Sequence, residues 1–202
     1  VHGDRLHWAA AVESADGVST ELRSVPVGGG QVTVRRITGA YQLSAWPWLL
    51  SVPGSGPAAE PLELRNLDTD QRVTVASSPS EYVACSPTWC RSIVTTGSDG
   101  STRYDIMRSD GTGRRRVGGA VFSAAVADVA LLDRFEPVLE MSNRTSGGAQ
   151  QRLVLYDVTT GRLVTVAENV REVLARQHVL WWSTGDRQSQ VWHSVDLATL
   201  VP

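Results

Sequence analysis

The sequence predicts an all-β protein of the β-propeller class, a single domain of about five four-stranded antiparallel blades. Three observations predict it. A strand–turn–strand unit recurs, its apolar anchors Leu22, Leu64, Ile106, Leu155 and Trp192 standing 42, 42, 49 and 37 residues apart. The segments between copies are short apolar runs broken by turn residues, room for two more strands per repeat. No segment requires a helix. The unit is clearest at residues 104–117, YDIMRSDGTGRRRV, where Tyr104, Ile106 and Arg108 alternate with Asp105, Met107 and Ser109 as in a half-buried strand. Asp110-Gly111-Thr112-Gly113 is the turn, with Gly taking positive φ at no steric cost, and Arg116-Val117 begins the return strand.

Taken in order, the copies are ELRSVPVGGGQVTV (21–34), ELRNLDTDQRVTV (63–75), DIMRSDGTGRRRV (105–117), VLYDVTTGRLVTV (154–166) and VWHSVDLATL (191–200), a fifth that stops early. Blades of roughly 1–37, 38–78, 79–119, 120–168 and 169–202 follow from this spacing. The other strands are expected at 41–46 and 48–52 around Pro47, at 82–85 and 90–94, at 127–132 and 135–141 around Asp133-Arg134, and at 170–175 and 179–183. Residues 123–132, SAAVADVALL, have a helical composition but sit where the repeat requires a strand, and are read as one. Residues 6–12 form a second strand without a first. Loops at 54–60 and 143–150 are Gly/Pro/Ser-rich excursions within blades. The first blade thus lacks its inner strand and the last its outer one. Either residues 1–5 and 198–202 close a five-bladed ring, or the ring is incomplete and upstream blades are missing, which is the favoured expectation. Open blade edges would then pair with those blades or with another chain.

The 202 residues carry a net charge of −2, and all 19 basic residues are Arg. No basic footprint points to nucleic acid. Arg without Lys, beside abundant Ala, Val and Gly, points to a GC-rich, actinobacterial source. No apolar run is long enough to span a membrane, and no signal or anchor segment is present in this stretch. Cys85 and Cys90 face each other across the mouth of a hairpin, VACSPTWC, at a spacing that allows a disulfide and so favours an exported protein. No metal site is expected, because the four His are scattered. The seven Trp recur near second strands and are expected to pack between blades rather than form a sugar-binding platform.

With these residues in hand, YDIMRSDGTGRRRV resembles the outer hairpin of TolB-like propeller repeats, and Asp110, Gly111, Thr112 and Arg115 match that signature. The other copies keep its hydrophobic frame without the Asp-Gly. ACSPTWC and VLWWSTGD are similar to stretches of actinobacterial TolB-like envelope proteins. The resemblance implies an exported, non-enzymatic propeller that binds a protein or peptide at the cell envelope, without cofactor or catalytic residue.

Neither a nucleophile elbow nor a phosphate loop occurs. Residues 97–101 have a faint calcium-loop look but lack its spacing. Asn143-Arg144-Thr145 matches a glycosylation sequon and carries no weight. The remaining enzymatic route is a pair of carboxylates from inner strands around a channel, as in five-bladed glycosidases. Glu81, Asp128 and Glu172 are the channel candidates, Asp128 the foremost because it interrupts an apolar run. A carbohydrate-active propeller, glycosidase or lectin, is therefore the main alternative to the protein binder, and a structural module of a larger assembly the third reading.

Overall fold

The computed structural model describes all residues except 15–16, 53–60, 76, 79, 97–100, 143–149, 187 and 202. The Gly/Pro/Ser-rich loops, the sequon and the calcium-like loop lie in whole or in part outside the described residues. The chain divides into two compact units. One comprises Val1–Pro79, Cys85–Pro87 and Ser109–Gly111, and the other Ser80–Ala84, Thr88–Arg108 and Thr112–Pro202.

The first unit carries two antiparallel sheets. Strands β1 (Arg5–Ser14), β2 (Gly17–Pro26) and β3 (Thr33–Thr38) form the first. Strands β4 (Tyr41–Leu43), β5 (Trp48–Ser51), β6 (Leu62–Asn66) and β7 (Arg72–Val75) form the next. A cis peptide bond between Trp46 and Pro47 lies in the β4–β5 turn. Burial alternates along β6, with Leu62, Leu64 and Asn66 inward, as its period-two pattern requires. Leu22, Ile37, Leu49 and Leu67 make the core here.

The second unit holds three sheets, apart from Cys85. Strands β8 (Glu81–Cys85), β9 (Trp89–Thr95), β10 (Thr102–Arg108) and β11 (Arg115–Gly118) stand side by side in that order. Strands β12 (Phe122–Ala124), β13 (Phe135–Ser142), β14 (Gln150–Asp157) and β15 (Arg162–Ala167) repeat the arrangement. Strands β16 (Glu172–Arg176), β17 (Val179–Thr184) and β18 (Val191–Asp196) form a sheet of three, followed by a single 3-10 turn, Leu197–Leu200. This turn occupies the segment expected to supply closure. Its side chain Leu197 is buried with Phe135, Leu153, Leu155 and Leu180.

Five antiparallel sheets of three or four strands make an all-β architecture of the β-propeller class. The outer hairpins turn by a shared device. Asn66 and Asp157 stand at the same place in the repeat, and each side chain accepts the backbone N–H groups two and three residues on, Asp68 and Thr69 in one case, Thr159 and Thr160 in the other.

One expected strand is absent. Phe122–Ala124 pairs with β13, the Ala125 N–H still reaches Pro137 O, and residues 126–134 then bend away as a loop that touches β13 again only at the isolated bridge Leu131–Phe135. The SAAVADVALL segment is therefore mostly loop, with Ala130, Leu132 and Asp133 at positive φ, a conformation no strand allows.

Candidate functional site

The expected hairpin turn forms around Asp110 and Gly111, the latter at φ 84°, with the Arg108 N–H donating to Thr112 O at 2.9 Å. Arg115 opens β11, one residue earlier than expected, and its guanidinium donates to Val158 O. Arg114 is held by two carboxylates. It binds Asp105 at 2.9 Å and Glu81 at 3.1 Å. The Ser92 hydroxyl, opposite Asp105 on β9, donates to Glu81 and accepts from Arg114. Arg103 completes the row on Asp105. Glu81 thus belongs to an ionic ladder across one sheet. Cys85 and Cys90 are joined in a disulfide, and both are buried.

Asp128 is not on an inner strand. It lies exposed in the loop that replaced the expected strand, and its carbonyl is used instead of its carboxylate. The cause is Arg91, 2 % exposed, whose guanidinium donates to the carbonyls of Val126, Ala127 and Asp128. Its Nε lies 3.4 Å from Oε1 of the fully buried Glu136. The Glu136 carboxylate also accepts the Tyr104 hydroxyl and the Ala130 N–H. Burial pushes the Glu136 carboxyl up, against the pull of Arg91, and burial followed by the Glu136 charge raises the Tyr104 phenol. This buried arrangement holds a loop and offers no access to a ligand. Its sequence signal was a charge inside an otherwise apolar strand, Arg91 in WCRSIV and Glu136 in FEPVL. Glu172 stands exposed on β16, across from Ser183. The three channel candidates therefore sit in three different settings: a ladder, a loop and a strand surface.

An accessible site lies elsewhere in the same unit. An open depression of ≈ 690 Å³ runs between the end of β15 with the turn after it and the β17–β18 hairpin. Trp182 and His193, opposite each other on β17 and β18, stack with ring centroids 5.5 Å apart and line it. Thr184 Oγ1 lies 2.9 Å from His193 Nε2. The carboxylates are Glu168, exposed on the turn, and Asp186, held below the usual carboxylate range chiefly by the Ser189 hydroxyl and the N–H groups of Gln188 and Ser189.

Beside this depression runs β18, the last strand of its three-stranded sheet. Its exposure breaks the repeat. Leu22, Leu64, Ile106 and Leu155 are at most 7 % exposed, whereas Trp192 at the same place is 46 % exposed and Val191 53 %. Among the seven Trp, Trp89 is buried, with its indole N–H on Asp133 O, and the other five are half-buried. The indoles therefore do not form the exposed, blade-by-blade series that a lectin needs. Sequence reading grouped all seven as packing and so missed Trp182 and Trp192, whose setting depends on which strand neighbours them.

No protein-family model and no curated protein sequence matches the chain. Solved structures do. The chain is similar to one in a crystal structure of a nidogen/laminin complex, with a TM-score of 0.50 and 13 % identity over 97 % of this chain and 73 % of that one. It also aligns with TolB from Acinetobacter baumannii, with a TM-score of 0.44 and 11 % identity over 96 % of this chain and 62 % of that one. The fold is β-propeller-like. At such identity the likeness speaks for the fold alone.

Proposed function

We propose that this chain is a protein-binding propeller module that works outside the cytoplasm, at the cell envelope of an actinobacterium. One observation carries the reading. Strand β18 presents Val191 to solvent on the face that carries His193 and the open, partly aromatic depression, an apolar feature with a polar rim, while Trp192 is exposed on the opposite face. The disulfide Cys85–Cys90 supports an oxidising compartment. The nidogen/laminin structure offers a precedent for a propeller-like chain in a protein complex.

The test sets two ligand classes against each other. The purified chain, with its disulfide intact, is screened against a displayed library of linear peptides and against a glycan array. Enrichment of a peptide family, with no glycan retained, is the expected result. Retention of glycans without peptides would replace this reading with the carbohydrate one.

A further inference from the structure

Both walls of the depression are turns within the chain. Glu168 stands on the turn after β15, and Asp186 on the β17–β18 hairpin. The stacked rings of Trp182 and His193 line the same space. Three hydrogen bonds hold Asp186, from the N–H groups of Gln188 and Ser189 and from the Ser189 hydroxyl. All three end on Oδ1, and among the described residues Oδ2 accepts none. The Glu168 side chain is exposed and has no partner among the described residues. The cation whose charge reaches Asp186 is Arg171, which stands outside the lining with its Nε donating to Gly185 O. Elsewhere the chain meets rings and carboxylates with an arginine of its own. Arg134 lies over the Phe135 ring, 5.1 Å from its centroid, while binding Asp157 at 2.9 Å. Arg108 lies over the Trp89 ring at 4.3 Å. The depression has the rings and the carboxylates but, among the described residues, no arginine.

We infer that the depression takes an arginine side chain from an extended segment of the partner protein. The guanidinium packs on the aromatic pair and binds Glu168 on one wall and Asp186 on the other. The carboxylates read its charge, and the rings read its flat shape. Lysine is the poorer fit, because a compact ammonium neither lies flat on a ring nor forks onto a carboxylate. This rests on the protein-binding reading above and names the group on the partner that the site recognises.

The probe is an acetylated, amidated pentapeptide of sequence Gly-Ser-Arg-Ser-Gly. It is titrated into the isotope-labelled chain, disulfide intact, and followed by the NMR shifts of backbone and indole N–H groups. Saturable shifts at Glu168, Asp186, Ser189 and the Trp182 indole are expected in the millimolar range. Citrulline in place of arginine keeps the shape and removes the charge, and should weaken binding at least about tenfold. Lysine in that place should weaken it about threefold. Glu168→Gln and Asp186→Asn should each weaken binding of the arginine peptide about two- to fivefold. Asparagine keeps an acceptor for the hairpin N–H groups, so this variant should fold as the parent does, with shifts unchanged outside the depression.

The inference is overturned if the lining residues do not shift at millimolar peptide, or if the citrulline or lysine peptide binds as tightly. It is also overturned if the double variant Glu168→Gln/Asp186→Asn binds the arginine peptide as the parent does. Displayed peptides that lack arginine and bind the double variant unchanged would discard this site and leave the protein-binding reading standing. A display that yields no peptide at all would discard the reading itself.

Discussion

Arg91 supplies one of the few charges inside the second unit, and both of its terminal nitrogens are hydrogen-bonded while its Nε is not. Three carbonyls and the Glu136 carboxylate surround its guanidinium. Removing one member of a buried pair leaves the other charge without compensation, at about 3–5 kcal/mol. Arg91→Met is therefore expected to lower the free energy of unfolding by that amount in urea titration. Glu136→Gln keeps one acceptor oxygen for the Ala130 N–H, with its NH2 turned to donate to the Tyr104 oxygen, and is expected to cost less. Asp157 works in the opposite electrostatic sense. Burial raises its carboxyl, but the Thr159 hydroxyl, Arg134 and the N–H groups of Thr159 and Thr160 outweigh that and hold it well below the usual range. A lowered folded value stabilises the protein above the ordinary carboxyl pKa, and that contribution is lost as pH falls through the folded value. Asp157→Asn is expected to be less stable than the parent by about 1 kcal/mol at neutral pH. The gap should close as pH is taken well below 3.8, the ordinary value.

Elements defined by local chemistry were legible in the sequence, and those defined by distant partners were not. The β6–β7, β10–β11 and β14–β15 hairpins follow from alternation and from turn residues such as Asn66, Gly111 and Asp157, whose effects reach only two or three positions. The loop at 125–134 follows instead from Arg91, whose contacts in it lie 35 to 37 positions away, so neither propensity nor repeat position could predict the loop. The accessible site was hidden for a similar reason. Trp192 looks like any other repeat anchor, whereas Leu22, Ile106 and Leu155 owe their burial to residues of the sheet that follows each of them. At the end of β11, Gly118 shows another constraint invisible in sequence: a Cβ there would stand 2.3 Å from the Phe122 ring. Phe122 packs against the core of its unit and is not free to swing aside. Gly118→Ala is expected to cost about 1–3 kcal/mol through overpacking, read as a lower urea midpoint with an unchanged slope.

For the molecule as a whole, the disulfide is a constraint on the unfolded chain more than on the folded one. It closes a loop with only four residues between Cys85 and Cys90, and a loop that short removes about 2 kcal/mol of unfolded-state entropy. The double variant Cys85→Ala/Cys90→Ala should unfold with that loss of stability, and added reductant should lower the parent to the same value and leave the variant unmoved. Equal midpoints for the parent with and without reductant would show the bond contributing nothing. A chain that loses stability on reduction is suited to an oxidising compartment.

The loop over Arg91 has a further consequence, for enzymes that cut proteins. Irregular and exposed at Ala127 and Asp128, it has the outward look of a cleavage site. A protease must draw its substrate out into an extended form, and here that means stripping three carbonyls from a buried guanidinium. The native chain should therefore withstand an aspartate-specific endoprotease between Ala127 and Asp128. Cutting there would mark molecules in which the Arg91 clamp had already let go.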